Sequence, residues 1–575
     1  MTDHDTHLGS LLVEHGEITR DDLELALLEH HKTGQRLGEL LLRMGLVDEE
    51  ALQRALAEQL GIPFIKLSEI EIAPEMFELF PARAVNHYHV IPVDRVDGSI
   101  RVAMLDPLDV HTLDDLQMML KMGVEPVVTT SKEIDDAIRR HYGIGAATVE
   151  GMIDDAEAEG KALEVTADVQ DIDAMAEDAT IVRFVNQIIQ EAMRDRATDI
   201  HIEPLEKELR VRYRIDGLLY EAAIPPSIRK FQSAIISRVK IMADLNIAER
   251  RLPQDGKIKI RRGDEEFDLR VSTVPTPHGE SIAIRILSRD AELINLEKLG
   301  LAEANLQHLR AILDQPHGIF LVTGPTGSGK STTLYAALSE INRLNRKIIT
   351  IEDPIEYRIN GVTQIQVNPQ IDLTFGRCLR TILRQDPDIL MVGEIRDTET
   401  AQITIRTALT GHLVFSTLHT NDATSAVTRL LDMGIEPFLV SSSVLGIIAQ
   451  RLVRVLCPEC KRPFDPPTKA LKRVNPTGES LDGITFYRNQ GCESCRYTGY
   501  RGRTAIFEYT RITDEFRRLV VERVGANILK QQALRDGMTT LRHDGWRKVK
   551  QGKTTLDEVL RVTLEEEAEI DEEAV

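Results

Sequence analysis

GIFLVTGPTGSGKSTTLYAAL, residues 318–338, reads as a short apolar strand (Ile319–Val322), a glycine-rich loop and a helix. Gly324, Gly329, Lys330 and Ser331 fit the spacing G-x-x-x-x-G-K-[ST], and the strand and helix supply the context that spacing requires. Glycines let backbone N–H groups approach phosphate oxygens, Lys330 brings a positive charge to the β and γ groups, and the Ser331 hydroxyl can ligate Mg²⁺. Gly324, Pro325, Thr326, Gly327, Ser328, Gly329, Lys330, Ser331 and Thr332 are therefore the candidate nucleotide-binding residues. A glycine turn that binds nothing is the alternative, and the flanking elements argue against it.

Two segments downstream carry acids next to apolar strands. KIITIEDPIEY (347–357) holds Glu352, Asp353 and Glu356, and DPDILMVGEIRD (386–397) holds Glu394. In a parallel sheet the carboxyl ends of strands meet at the ligand crevice, so these acids are candidates to hold Mg²⁺ through water or to orient an attacking water.

At 575 residues the chain exceeds what one core organises, which predicts several domains of α/β class. No apolar run approaches the roughly 18 residues that span a bilayer. The start, MTDHDTHLGS, lacks the basic and apolar regions of a signal peptide, so the expectation is a cytoplasmic chain. A net charge of −22 opposes general attraction to phosphate backbones, and no nucleic-acid partner is expected. A RecA-like nucleic-acid motor is the reading this disfavours.

Four of the five cysteines form two C-x-x-C pairs, Cys457/Cys460 in LCPECKRPF and Cys492/Cys495 in GCESCRYTGY. Two such knuckles can deliver four thiolates to a tetrahedral Zn²⁺, and four protein ligands leave no open coordination position. A redox pair is the rival, but one C-x-x-C would serve it. Cys378 stands apart and is assigned to packing.

IEDPIEY, LRQDPDILMVGEIRDTETAQ and TGHLVFSTLHTNDATSAVTRL resemble the Asp box, Walker B box and His box of the secretion ATPase superfamily, which powers type II secretion and type IV pili. Upstream, DIHIEPLEKELRVRYRIDG, AERRLPQDGKI and DLRVSTVPTPHGESIAIRIL resemble its second N-terminal domain, so the likeness spans about residues 180–565. It implies an ATP-hydrolysing RecA-like core preceded by a PAS-like α/β domain, with Glu356 as catalytic base and Glu394 at Mg²⁺ and water. His412 and His419 are the His-box residues, and Arg270 and Arg285 would act on the γ-phosphate. One departure from the general P-loop pattern is Gly393, where the common Walker B motif has Asp. The resemblance further implies a hexameric ring on an inner-membrane secretion platform, peripheral to that membrane, and the paired cysteines mark its assembly branch rather than pilus retraction. DMGIEPFLVSSSVLGIIAQRLVRVLCPECK looks closer to the type II secretion ATPase than to the pilus-extension ATPase.

Residues 7–30 and 36–59 repeat at an offset of 29, HLGSLLVEHGEITRDDLELALLEH against RLGELLLRMGLVDEEALQRALAEQ. Each copy predicts a helix ending at Gly (Gly16, Gly45) and a second helix after an N-cap (Thr19, Asp48). The repeat resembles the cyclic-di-GMP-binding N-terminal domain of some of these ATPases. Copy two keeps Arg36, Leu37, Gly38 and Gln59, whereas copy one has His7 and His30 in place of Arg and Gln. A largely neutral His does not replace a guanidinium on a phosphodiester, so a protein-docking module is preferred to messenger binding.

Residues 63–142 predict a mixed α/β unit with strands near Val90–Val93 and Ile100–Met104 and helices near Leu113–Met122 and Lys132–Tyr142. The full division read here is 1–145 docking or regulatory, 146–180 acidic linker, 181–290 PAS-like, 291–455 RecA-like, 456–510 zinc-binding, and 511–575 helical with an acidic tail.

Overall fold

The computed structural model describes residues 3–143, 145, 146, 148–150, 152, 179–263, 265–288, 295–475, 481 and 483–563. Almost all of the stretch read as a linker, the acidic tail after residue 563 and the side chain of His7 lie outside the described residues. The chain forms two compact units, Met1–Ile260 with Asp268–Ile286, and Arg261–Phe267 with Leu287–Val575.

In the first unit the repeat folds into four helices, α1 (Asp3–Glu14), α2 (Arg20–Thr33), α3 (Leu37–Arg43) and α4 (Glu49–Leu60). Thr19 caps α2 in a reciprocal box with Asp22, and Asp48 caps α4 by accepting from Ala51 N–H. The offset of the sequence becomes an offset of the core: Leu8, Leu12, Ile18 and Ala26 share one cluster with Leu37, Leu41, Val47 and Ala55. The glycine of each Leu-Gly pair lets the two helices of its hairpin approach. A Cβ on Gly9 would lie 2.4 Å from Leu23 Cδ1, and one on Gly38 would lie 3.3 Å from Leu52 Cδ2.

Next comes a three-stranded sheet, β1 (Ile91–Val96), β2 (Ser99–Met104) and β3 (Gly123–Val128), in that spatial order. The two expected helices are Val110–Leu120 and Ser131–His141. The third strand was not anticipated, because Pro126 obscures it; β3 tolerates proline as an edge strand paired only with β2 in the sheet. After it the helix Ala179–Arg194 packs on a second sheet of order β6-β5-β4-β9-β8-β7. Its strands are β4 (Asp199–Pro204), β5 (Leu209–Ile215), β6 (Leu218–Glu221), β7 (Gln254–Arg262), β8 (Glu265–Thr276) and β9 (Gly279–Ser288). The helix buries Ile181, Phe184, Val185 and Ile188, and Tyr213 of β5 donates its hydroxyl to Ile188 O at 3.1 Å.

The second unit is built on a seven-stranded sheet, β10 (Gly318–Thr323), β11 (Ile348–Glu352), β12 (Thr363–Gln366), β13 (Ile389–Val392), β14 (Leu413–Leu418), β15 (Val444–Leu456) and β16 (Tyr500–Arg511). Their order is β12-β11-β13-β14-β10-β15-β16, parallel throughout except for the antiparallel β15–β16 pair. β10, β11, β13 and β14 are buried along their whole length, as strands covered on both faces must be. Alternate residues feed opposite faces: Ile319, Leu321, Ile351, Val392 and Val414 enter one core, and Phe320, Val322, Ile348, Met391 and Phe415 the other. Cys378 is buried in the first of these cores, in keeping with a packing role.

Candidate active site and four-cysteine cluster

Register brings the carboxyl ends of four strands level. Thr323 pairs with Leu418 across β10 and β14, Val392 with Ser416 across β13 and β14, and Ile351 with Val392 across β11 and β13. The residues that follow, Gly324, Asp353, Gly393 with Glu394, and His419, therefore line one edge of the sheet, where a parallel α/β fold binds its ligand.

The loop after β10 turns back on itself before the helix Lys330–Ile341 starts. Gly324 has φ +148°, and a Cβ there would meet both Gln450 O and Ser328 Oγ at 2.6 Å, so no side chain fits. Lys330 Nζ donates to Gly324 O (2.8 Å) and Pro325 O (3.0 Å), which holds the ammonium across the mouth of its own loop. Burial pushes this ammonium down to about 8, against the opposing pull of Glu394. The charge is thus held at a cost in solvation, which an anionic phosphate would relieve.

Glu394 is half-buried and receives Arg396 Nη2 on one oxygen and His419 Nε2 (3.1 Å) on the other. Arg396 also reaches Asp353 Oδ2 at 3.6 Å. Gly393 sits where a side chain would be tight: a Cβ would lie 3.1 Å from Ile351 O and 3.3 Å from Glu352 Cα, both backbone atoms. The missing Walker B aspartate thus has a packing reason, since β13 runs against β11 at this point.

The structure separates residues that the sequence grouped. His419 follows the carboxyl end of β14 and touches Glu394, but His412 precedes the amino end of the same strand and holds Thr407 O through Nδ1 (3.1 Å). Six strand residues at roughly 3.3 Å each put about 20 Å between the two histidines. Glu352, expected just after the strand, is its last residue and is 4% exposed. Arg270 and Arg285 belong to the first unit, on β8 and β9, where Arg285 Nε donates to Asp199 Oδ1 at 2.9 Å.

Several contributors escaped the motif reading. Gln450 of β15 donates Nε2 to Ser328 O (2.7 Å) and accepts the Thr333 hydroxyl (2.8 Å), so it braces the loop from beneath. The Thr323 hydroxyl donates toward Leu418 O and Thr420 O and accepts Thr420 N–H, at 3.0–3.1 Å, which registers the loop against the strand end carrying His419. Arg451 clamps Asn421 O at 3.0 Å beside it. Their only sequence signal is a polar residue inside an otherwise apolar strand, as in IIAQRL.

The cysteines come together at the far end of β15. The four sulfurs all lie within 4.8 Å of one another, with Cys457–Cys492 at 3.8 Å and Cys460–Cys495 at 3.7 Å. Sulfurs about 2.3 Å from one tetrahedral ion would be about 3.8 Å apart, whereas a disulfide needs about 2.05 Å. Burial pushes the Cys492 thiol up to about 12. Burial also raises Cys495, yet it ends below its usual value because Cys492 N–H (3.1 Å) and Gly499 N–H (3.2 Å) donate to its sulfur. Such N–H donors favour a thiolate, and the set fits a metal ion.

A family model described as type II/IV secretion system protein matches residues 174–561, and an MshEN domain model matches residues 60–148, beginning just after the tandem repeat. The type IV pilus assembly ATPase PilB of Myxococcus xanthus is 45% identical over 559 residues, covering 96% of this chain and 98% of its own. The type II secretion system protein E of Xanthomonas campestris pv. campestris is 45% identical over 574 residues, covering 97% and 98%. Among solved structures, the ATPase DotB of Legionella pneumophila superposes with a TM-score of 0.50 at 21% identity over 66% of this chain and 95% of its own, a likeness of fold. Matched over most of its length, with the nucleotide loop and the acidic strand ends in place, the chain belongs to the type II/IV secretion system protein family and is an ATPase.

Proposed function

We propose that this ATPase hydrolyses ATP to drive assembly of a pseudopilus-type filament for type II protein secretion. The observation that carries the reading is the level edge of the sheet, where Lys330, Glu394 and His419 stand together beside the Asp-box loop. The loop Gly324–Thr332 binds the phosphates, and Lys330 leaves its own carbonyls for the β and γ groups. Glu356 accepts the proton of the attacking water, and Glu394, oriented by His419 and Arg396, is the carboxylate that would hold a divalent ion through water. The Ser331 hydroxyl and, through water, Glu394 form an all-oxygen donor set that would hold Mg²⁺, and the ion would supply charge neutralisation on the transferred phosphoryl group. Arg270 and Arg285 are the arginines that the family resemblance assigns to that charge. His412 enters the chemistry only through a neighbouring subunit of a hexameric ring, given its place at the opposite edge of the sheet. Lys330→Ala should abolish phosphate release, and unaltered hydrolysis would sink the assignment.

The four cysteines hold structural Zn²⁺, and metal analysis of the purified chain should return one zinc per chain. The first 145 residues dock the motor, cytoplasmic and without a membrane helix among the described residues, on an inner-membrane platform. Cyclic-di-GMP is the rival ligand of this domain. The docking reading is supported by the side chains at the first copy's positions, His7 and His30, where a guanidinium and an amide would serve a phosphodiester; Arg36 has Asp106 as a partner at 2.5 Å. Titration of those residues with cyclic-di-GMP, with binding at tens of micromolar or tighter, would reverse the preference. The second reading of the whole chain is type IV pilus extension, favoured by 45% identity to a pilus assembly ATPase over nearly the full length. A deletion strain separates the two: loss of exported proteins with pili retained supports type II secretion, and the converse supports pili.

A further inference from the structure

The segment between β11 and β12 carries Glu356 but has no regular backbone structure to hold it. What holds it is a buried polar network. Tyr335 is 0% exposed, and a hydroxyl at that depth costs free energy unless both its donor and its acceptor capacity are used. Both are used here: the hydroxyl donates to Glu352 Oε2 and accepts Glu356 N–H at 3.3 Å. Glu352 in turn accepts from the Thr350 hydroxyl (2.5 Å) and Gln364 Nε2 (3.1 Å). Gln364 closes the set by donating to Tyr357 O (3.2 Å) and accepting Ile359 N–H (2.8 Å). The Tyr335 and Tyr357 rings meet edge to face with centroids 4.6 Å apart. The backbone of the Glu356 loop is therefore tethered at residues 356, 357 and 359 through Tyr335 and Gln364, the two groups that share Glu352.

Tyr335 stands on the helix that begins with Lys330 and Ser331. We propose that Tyr335 is a positioning residue for ATP hydrolysis, its hydroxyl fixing the Glu356 backbone relative to the helix that presents Lys330 to the phosphates. The proposal rests on the reading of Glu356 as the base. Glu352 is assigned to the tether and not to the chemistry, because it is buried and fully engaged. The device matters because a displacement of about 1 Å at a reacting group can cost on the order of a hundredfold in rate. It also explains tyrosine at a site where packing alone would accept phenylalanine.

The test is steady-state ATPase kinetics on the full chain. Tyr335→Phe should lower kcat about tenfold and leave both KM and the affinity for a non-hydrolysable ATP analogue within about twofold. Unchanged kcat, or a KM and analogue affinity that worsen in step with kcat, overturns the proposal, since a damaged loop or helix would do the latter. Should that variant not fold, Gln364→Met removes the tether at its other end, with the same pattern expected and a kcat loss of about threefold; an intact kcat there overturns it equally. Glu356→Gln is assayed alongside. Full activity in Glu356→Gln removes the Glu356 reading itself, whereas an inactive Glu356→Gln beside an unimpaired Tyr335→Phe removes only the tether.

Discussion

The crevice at the level strand ends and the four-cysteine cluster share one strand, β15, which runs thirteen residues from Val444 to Leu456 and passes the crevice at its middle. Gln450 on it braces the phosphate loop, and Cys457 follows its last residue. Yet the two sites are built by opposite rules. In the crevice the polar groups stay partly exposed at strand ends and their partners are interim: an ammonium on its own loop carbonyls, a carboxylate shared by an arginine and a histidine. In the cluster three of the four cysteines are buried, the sulfurs face one another, and backbone N–H groups are already directed at one of them. An open site must exchange its partners during turnover, and a closed one must not.

Substitutions can break that contrast, and the largest effect belongs to the crevice. Lys330→Ala should take ATP turnover below detection while shifting the melting midpoint by only a few degrees, because the ammonium is held at a solvation cost and its removal relieves burial. The cluster should respond the other way. Cys495→Ser should lose bound metal and lower the midpoint of the unit that holds it by roughly 10 °C, following the several kcal/mol that a structural ion contributes. Calorimetry of the two variants with metal content measured would show whether stability and turnover divide between the sites.

Intermediate effects test the strand that joins them. Gln450→Leu leaves Ser328 O and the Thr333 hydroxyl without their buried partner, a loss of about 1–3 kcal/mol that should weaken nucleotide binding about tenfold and spare the metal. The smallest effect is one of pH. Burial alone would raise the Glu558 carboxyl, but the Arg561 and Arg454 guanidinium groups and Arg454 N–H hold it down at about 2. A depressed carboxylate contributes stability that is complete above its ordinary value of 4.5 and is lost as pH falls toward 2. Glu558→Gln should therefore flatten the acid side of the stability curve in that window and be nearly silent in ATPase assays at neutral pH. A curve of unchanged slope would remove Glu558 from the account.

The legibility of each feature follows its span along the chain. The phosphate loop is contiguous, so one stretch of nine residues displays it; the C-x-x-C pairs announce themselves by spacing; and the repeat shows its caps Thr19 and Asp48 because capping is local. Gln450 lies 117 residues from Thr333, and Tyr335 is 17 from Glu352, separations at which no motif operates. The His box gives the sharpest case. His412 and His419 look equivalent in the sequence, but a strand rises about 3.3 Å per residue, so β14 carries one to the crevice and leaves the other at the opposite edge.

Taken by itself, the amino-acid order determined the α/β class, the strand–glycine loop–helix unit, the helical repeat and the four candidate metal ligands, because each depends on periodicity or spacing within a short segment. The tertiary structure alone decided which strand ends stand level, why a side chain at Gly393 would crowd β11, and which histidine meets Glu394. Those outcomes depend on the register between strands far apart in sequence, and register is set by how whole apolar faces pack.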